Sequence, residues 1–316
     1  MAFSLAARPR RTASGTNAIA GILLLLLLGL AGSSGGCNAA DQKPAAKQEE
    51  LPPASTQPAD APKLNPDLPT LFVAGDSTAA KSRSDDAQGW AVPFSRYFDP
   101  EKINVANLAR GGRSSRTYVT EGLWADLLAQ VKPGDIVLIQ FGHNDATEVD
   151  SPQARGTLPG TGEQTQDVLN KLTGQPETVH TFGYYVRRMI ADAKAKGATP
   201  VVASLTLHNS WKDGQIERGP GEYAAWCAEL AKETGIGFVD LSALEADTFQ
   251  ELGQKRATKL YRGKTHFGPA AADLHARFVV VGLEQLPGDL VEPYLSDAGR
   301  AAVKEYQNTR RLSVTE

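Results

Sequence analysis

The sequence predicts an α/β domain of three layers, α/β/α, around a five-stranded parallel sheet, and two observations carry that expectation. From residue 70 onward, short apolar runs alternate with longer stretches of helical period. The apolar runs are also hydrophobic on both faces, as in 135–141. Strands buried on both faces belong to parallel sheets covered by helices on each side.

The elements follow in order. Residues 70–74 form the first expected strand, 90–98 a helix and 103–107 the second strand. Residues 121–131 are helical, with Leu123, Leu127, Leu128 and Val131 on one face. Strand 135–141 precedes a stretch, 146–177, rich in Gly, Pro, Thr and Gln, which breaks the alternation and is expected as a long loop on the site rim. Helix 181–196 stops at Gly197, strand 200–207 follows, and helix 222–234 stops at Gly235. A short strand, 237–241, and a closing helix, 269–286, complete the domain. Ligands bind beyond the carboxyl ends of such strands, so chemistry is expected just after Ala74, Asn107, Phe141 and Leu207.

The domain, 69–286, is expected between two flanks. Residues 1–36 carry Arg8, Arg10 and Arg11, no acid, and an apolar run at 18–32 that includes six consecutive leucines. That run is shorter than the roughly 18 residues of a spanning helix and fits the core of a signal peptide. Export is the expectation, to a periplasmic or cell-surface location or to the medium. Cys37 follows Gly35-Gly36, as at a bacterial lipoprotein processing site, although Ser34 stands where Leu is usual. Lipidation there would tether the chain to a membrane. The Arg10-Arg11 pair is a weak twin-arginine signal. Residues 37–68 have the composition of a disordered tether, and 287–316 form a polar C-terminal extension with one short helix expected at 295–307.

A formal net charge of −3 argues against a nucleic-acid binder and leaves open only a local basic patch. With Cys227 the only cysteine besides Cys37, neither a disulfide framework nor a cysteine zinc site is available. The histidines lack metal-ligand spacing, and no phosphate or dinucleotide fingerprint follows the first strand. No cofactor or metal is expected.

Polar residues gather where the sheet calls for them. The first strand ends in Gly75-Asp76-Ser77-Thr78-Ala79, and the second runs into Ala109-Arg110-Gly111-Gly112-Arg113-Ser114-Ser115-Arg116-Thr117. The third ends in Phe141-Gly142-His143-Asn144-Asp145, and Thr265-His266 precedes the closing helix. A lone Gly-Asp-Ser turn is more often structural, but four such groups in this order are specific. Together they resemble the SGNH hydrolase superfamily of GDSL-like esterases, and more narrowly its rhamnogalacturonan acetylesterase branch, over about residues 70–285.

The resemblance implies a flavodoxin-like SGNH hydrolase fold and a serine esterase acting on an O-acetylated acidic polysaccharide, with another O-acetylated glycan or a lipid ester as the alternative substrate. It implies Ser77 as nucleophile and His266 as its base, with the backbone N–H groups of Ser77 and Gly112 and the side-chain amide of Asn144 as oxyanion donors. A serine hydroxyl is a poor nucleophile without a base, and the tetrahedral oxyanion needs preorganised donors. The family places an Asp three residues before the histidine, where this chain has Gly263. Three explanations stay open: a backbone carbonyl orients His266, a carboxylate from elsewhere does, or the protein binds without turnover. Lys264 adds a like charge beside the base.

Arg110, Arg113 and Arg116 are candidates for reading a uronate carboxylate, with ion pairs inside the domain as the bland alternative. His208, after the fourth strand, is a candidate substrate contact. Trp90, Tyr118 and Trp211 are candidates for stacking on sugar, though aromatic residues are more often core. His143 is expected as a structural hydrogen-bonder, Asp76 as a turn carboxylate, and Asp273 and His275 as solvated helix residues.

Overall fold

The computed structural model describes residues 63–218 and 221–314. The expected signal peptide, most of the tether and Cys37 lie outside these residues. In chain order the first elements are β1 (Thr70–Gly75), α1 (Ala91–Phe94), β2 (Asn104–Asn107), α2 (Ser115–Thr120), α3 (Leu123–Leu128) and β3 (Ile136–Gln140). Then come β4 (Thr165–Leu169), β5 (Pro176–His180), α4 (Phe182–Ala195), β6 (Thr199–Ala203), β7 (Trp211–Lys212) and β8 (Gln215–Ile216). The chain continues through α5 (Tyr223–Thr234), β9 (Gly237–Val239), α6 (Leu241–Leu260), β10 (Tyr261–Arg262), β11 (His266–Phe267), α7 (Pro269–Glu284) and α8 (Asp297–Thr309).

The central sheet has the order β2-β1-β3-β6-β9, with every pairing parallel. Its inner strands β1, β3 and β6 are largely apolar because they feed two cores. Leu71, Val73, Ile136, Leu138, Val201 and Ala203 face one, while Phe72, Ala74, Val137, Ile139 and Val202 face the other. The first core is closed by α1, α6, α7 and α8, and the second by α2 to α5. Strand period 2 thus supplies both helical layers from one run.

Local signals set the helix starts. Thr181 caps α4 by accepting from the Tyr184 N–H, Asp240 caps α6 through Ala243, and Ser296 caps α8 through Gly299. Pro269 opens α7 at a position where its missing N–H costs nothing.

Several expectations change. The loop expected over 146–177 contains β4, which pairs with β5 as an antiparallel hairpin. The helix expected at 90–98 is a single turn, α1, followed by a 3₁₀ turn, Ser95–Tyr97. Asp240, expected inside the last strand, instead caps α6, a helix with no counterpart among the expected elements and kinked at Gly253. The described part of the C-terminal extension is not peripheral, since Val291, Leu295, Ala302, Val303 and Leu312 are buried in the core that holds α7. Among the described residues no helix is long and apolar enough to cross a membrane.

Candidate active site

The site lies beyond the carboxyl ends of β1, β2 and β3. After β1 the chain turns at once. Asp76 is fully buried, and its Oδ1 accepts from the Thr78 N–H and Oγ1, each at 2.8 Å. The carbonyl of Asp76 takes the N–H groups of Ala79 and Ala80. This tight turn leaves Ser77 half-buried between two buried neighbours.

The loop after β2 is pinned to that turn. Asn107 donates its amide to the Ala79 carbonyl at 3.0 Å, and the Arg110 N–H bonds the Gly75 carbonyl at 2.9 Å. A side-chain carbon at Gly111 would lie only 3.8 Å from Ser77 Cβ, so this loop flanks the serine. Gly112 has φ +77°, in the left-handed region that glycine adopts without strain. Ser114 and Thr117 then form a capping box that starts α2.

The turn after β3 completes the arrangement. Asp145 is buried and accepts from the Ser115 N–H and Oγ, tying α2 to the end of β3. Asn144 donates its side-chain amide to the Arg113 carbonyl at 2.9 Å, which holds it against the Gly112 loop. Burial pushes the Asp76 carboxyl up to about 6 and the Asp145 carboxyl up to about 7, against the pull of their own hydrogen bonds.

His266 arrives from the other end of the chain. β10 and β11 form a hairpin that pairs Arg262 with His266 across the tip 263–265. The Nε2 of His266 stands 2.9 Å from Ser77 Oγ. The ring can therefore accept the hydroxyl proton as the oxygen attacks a carbonyl. The hairpin is tethered by the Asn209 N–H on the Lys264 carbonyl, by the Gln88 N–H on the Phe267 carbonyl, and by the Tyr261 hydroxyl on the Leu207 carbonyl. Among the described residues, the one ion pair between a histidine and a carboxylate is His275 with Glu245. Among the described residues His266 has Ser77 as its hydrogen-bond partner and no carboxylate.

A second histidine cluster lies beside the base. His143 Nδ1 and His208 Nε2 are 2.9 Å apart, and His143 Nε2 lies 3.3 Å from Thr206 Oγ1. Burial holds both rings neutral, lowering His143 to about 3 and His208 to about 4. His143 is thus hydrogen-bonded inside the fold, while half-buried His208 stays near the site.

Five expected residues move. Arg116 does not face solvent. It is fully buried, its Nε and Nη2 grip both carboxylate oxygens of Glu177, and its Nη1 donates to the carbonyls of Val149 and Gly156. A buried guanidinium with all three nitrogens so engaged does not read a substrate acid. Trp90 and Tyr118 are core, with Trp90 Nε1 bonded to Gln140 and Tyr118 Oη to the Leu108 carbonyl. His275 and Asp273 are buried rather than solvated, the first paired with Glu245 and the second with Arg96 and the Tyr97 hydroxyl. Arg113 pairs with Glu121 at 2.8 Å and stays part-exposed, and Arg110 is exposed. Trp211 keeps partial exposure. Glu177, the partner that decides the role of Arg116, escaped the sequence reading. The signal for its strand was weak: only Thr178 and Val179 favour a strand there, after an Asn170–Gly174 turn.

Residues 73–274 match the model of a single family, from the middle of β1 to past the histidine. The chain belongs to the GDSL-like lipase/acylhydrolase family. This GDSL-like hydrolase is 32% identical to a rhamnogalacturonan acetylesterase of Emericella nidulans over 61% of this chain and 75% of that one. It is 29% identical to a rhamnogalacturonan acetylesterase of Bacillus subtilis over 74% of this chain and 97% of that one. The crystal structure of protein YxiM of Bacillus subtilis superposes with a TM-score of 0.55 at 26% identity, over 69% of this chain and 56% of that one. Among the described residues no group of three or more His, Cys, Asp or Glu is placed to hold a metal ion.

Proposed function

We propose that this GDSL-like hydrolase is a carbohydrate esterase that removes O-acetyl groups from an acidic polysaccharide of the rhamnogalacturonan type. The observation that carries the chemistry is the 2.9 Å contact between His266 Nε2 and Ser77 Oγ. The substrate class rests on the likeness to two rhamnogalacturonan acetylesterases.

In this reading Ser77 Oγ attacks the acetyl carbonyl as His266 takes its proton. The oxyanion is stabilised by the N–H groups of Ser77 and Gly112 and by the Asn144 amide. His266 then returns its proton to the sugar oxygen, which leaves as an alcohol, and water hydrolyses the acetyl–Ser77 ester by the same route. His266 works in a dyad, without a hydrogen-bonded carboxylate. Arg110, Arg113 and His208 stand on the substrate side. The basic and apolar start of the chain, followed by Gly35-Gly36-Cys37, supports export and a lipid tether at Cys37.

Acetate release from a panel of acetylated rhamnogalacturonan, xylan and a lipid ester tests the substrate class, with rhamnogalacturonan expected to give the highest kcat/KM. Labelling of Ser77 by a fluorophosphonate tests the chemistry. Labelling with release only from another ester would move the substrate; no labelling at all would make the protein a binding relic of the fold.

A further inference from the structure

We propose that Arg155 forms a carboxylate subsite beside the oxyanion loop and reads the acid group of a uronate next to the acetyl ester. The inference rests on the substrate class proposed above and names the residue that would select it. It starts from one misplaced charge. Arg155 Nη1 lies 3.4 Å from the Gly112 carbonyl, and a Cβ at Gly112 would sit 3.7 Å from the same nitrogen. The Nε of Arg155 is buried and has no partner. Among the described residues this guanidinium has no ion pair, whereas neighbouring Arg113 and Arg116 each hold a glutamate.

A part-buried guanidinium without a carboxylate is costly, because burying charge is unfavourable unless it is paired. The fold nevertheless fixes the segment that carries it. Arg116, in its grip on Glu177, also binds the carbonyls of Val149 and Gly156 on either side of Arg155. The Thr157 N–H bonds the Asp145 carbonyl at 3.1 Å, joining the segment to the turn after β3. Buried Ala154 has φ +49°, a left-handed conformation that a non-glycine residue keeps only when its surroundings impose it. Arg116 thus does not meet substrate; it clamps the loop that delivers Arg155.

The chemistry matches a uronate. Guanidinium is charged at every physiological pH and offers a planar fork suited to a carboxylate. A uronate carries its carboxylate and its acylated hydroxyl on one small ring. Placing the ester carbonyl against Ser77 and Gly112 brings that carboxylate near whatever flanks Gly112, and among the described residues Arg155 is the part-buried cation there without an ion pair, where Arg113 holds Glu121 and Arg110 is exposed.

The test pairs protein and substrate changes in the full chain. Wild type, Arg155→Gln and Arg155→Lys are each assayed on an acetylated acidic oligosaccharide and on its carboxyl-reduced counterpart. Wild type is expected to favour the acid, and Arg155→Gln to cut that preference by about tenfold or more, with Arg155→Lys between them. Thermal unfolding confirms that each variant folds. An unchanged preference in Arg155→Gln, or an equal loss on both substrates, overturns the proposal. A binding arm separates this from the substrate reading. Calorimetry on Ser77→Ala, with and without Arg155→Gln, compares trigalacturonate with galactotriose. Trigalacturonate binding that Arg155→Gln abolishes supports the subsite even if acetate is released only from another polymer. No preference for trigalacturonate in Ser77→Ala overturns the subsite even if rhamnogalacturonan is deacetylated.

Discussion

The loops after β1, β2 and β3 are held by buried polar groups, whereas His266 rides on a two-stranded hairpin at the surface. On the first side Asp76, Asp145, Ser115 and Arg116 are all fully or almost fully buried, and each is hydrogen-bonded. On the second side, a few backbone bonds and the Tyr261 hydroxyl hold the hairpin, and no carboxylate orients the ring. Oxyanion donors gain from rigidity, since they must be in place before charge develops. A base needs only to meet one hydroxyl. In the proposed mechanism, the preorganisation of the site lies on the side of the oxyanion donors.

The largest expected effect tests whether the base side works at all. His266→Ala and Ser77→Ala should each lower kcat by about 10⁴-fold or more, and the double variant should be no worse, because the two act as one unit. Asn144→Ala, on the rigid side, should cost about 10²–10³-fold. Initial rates on a soluble acetate ester measure both. If His266→Ala costs less than Asn144→Ala, the hairpin does not carry the base.

The next effect concerns what holds the rigid side. Glu177→Ala leaves the guanidinium of Arg116 buried without its partner. Breaking such a pair costs about 3–5 kcal/mol, readable by urea unfolding. Arg116→Met combined with Glu177→Leu should recover much of the loss, since an apolar pair removes the uncompensated charge. A loss below about 1 kcal/mol in Glu177→Ala, the range of exposed pairs, would remove the clamp from the rigid side.

These two sides were unequally legible in the sequence. The sheet announced itself because strands buried on both faces are continuous apolar runs. Ser77, Gly112 and Asn144 were legible in polar groups after expected strands and His266 in one before the closing helix, and their roles came from the family those groups resemble. The role of Arg116 was not, because its partner Glu177 lies 61 residues away, in a strand with only one buried residue. Helix α6 was hidden for a related reason: its kink at Gly253 breaks the apolar stripe that periodicity relies on. Arg155 carries no local signal, since it sits in irregular chain and its place depends on contacts made by Arg116 and Asp145.

A smaller effect probes Asp76, which belongs to the rigid side but interacts with His266. Burial raises its pKa from the ordinary 3.8 to about 6. The folded chain therefore holds this proton more tightly than the unfolded chain. Stability falls as pH rises through that window and stays lowered above it. The shift corresponds to a loss on the order of 2–3 kcal/mol. Asp76→Asn cannot ionise, so its stability relative to wild type should rise by that amount between pH 4 and pH 7, followed by chemical denaturation at each pH. A flat difference would mean that the carboxylate is solvated, and the rigid side would lose its buried anchor next to Ser77.

The smallest effect sharpens the base side itself. Gly263 lies at the hairpin tip, three residues before His266, where a carboxylate would complete a triad. A Cβ there meets nothing within 4 Å, so Gly263→Asp has room. The backbone resists, because φ is +83°, and a left-handed residue other than glycine costs about 1–2 kcal/mol, least for Asp and Asn. The hydrogen bond between Ser77 Oγ and His266 Nε2 is already formed without that carboxylate. The expected change in kcat/KM is therefore within about tenfold, or roughly 1.4 kcal/mol of barrier. A gain of about a thousandfold or more would approach the full value of the missing carboxylate in other triads. It would show that the 2.9 Å contact alone does not activate Ser77, and that the exposed hairpin holds a base awaiting its orienting group.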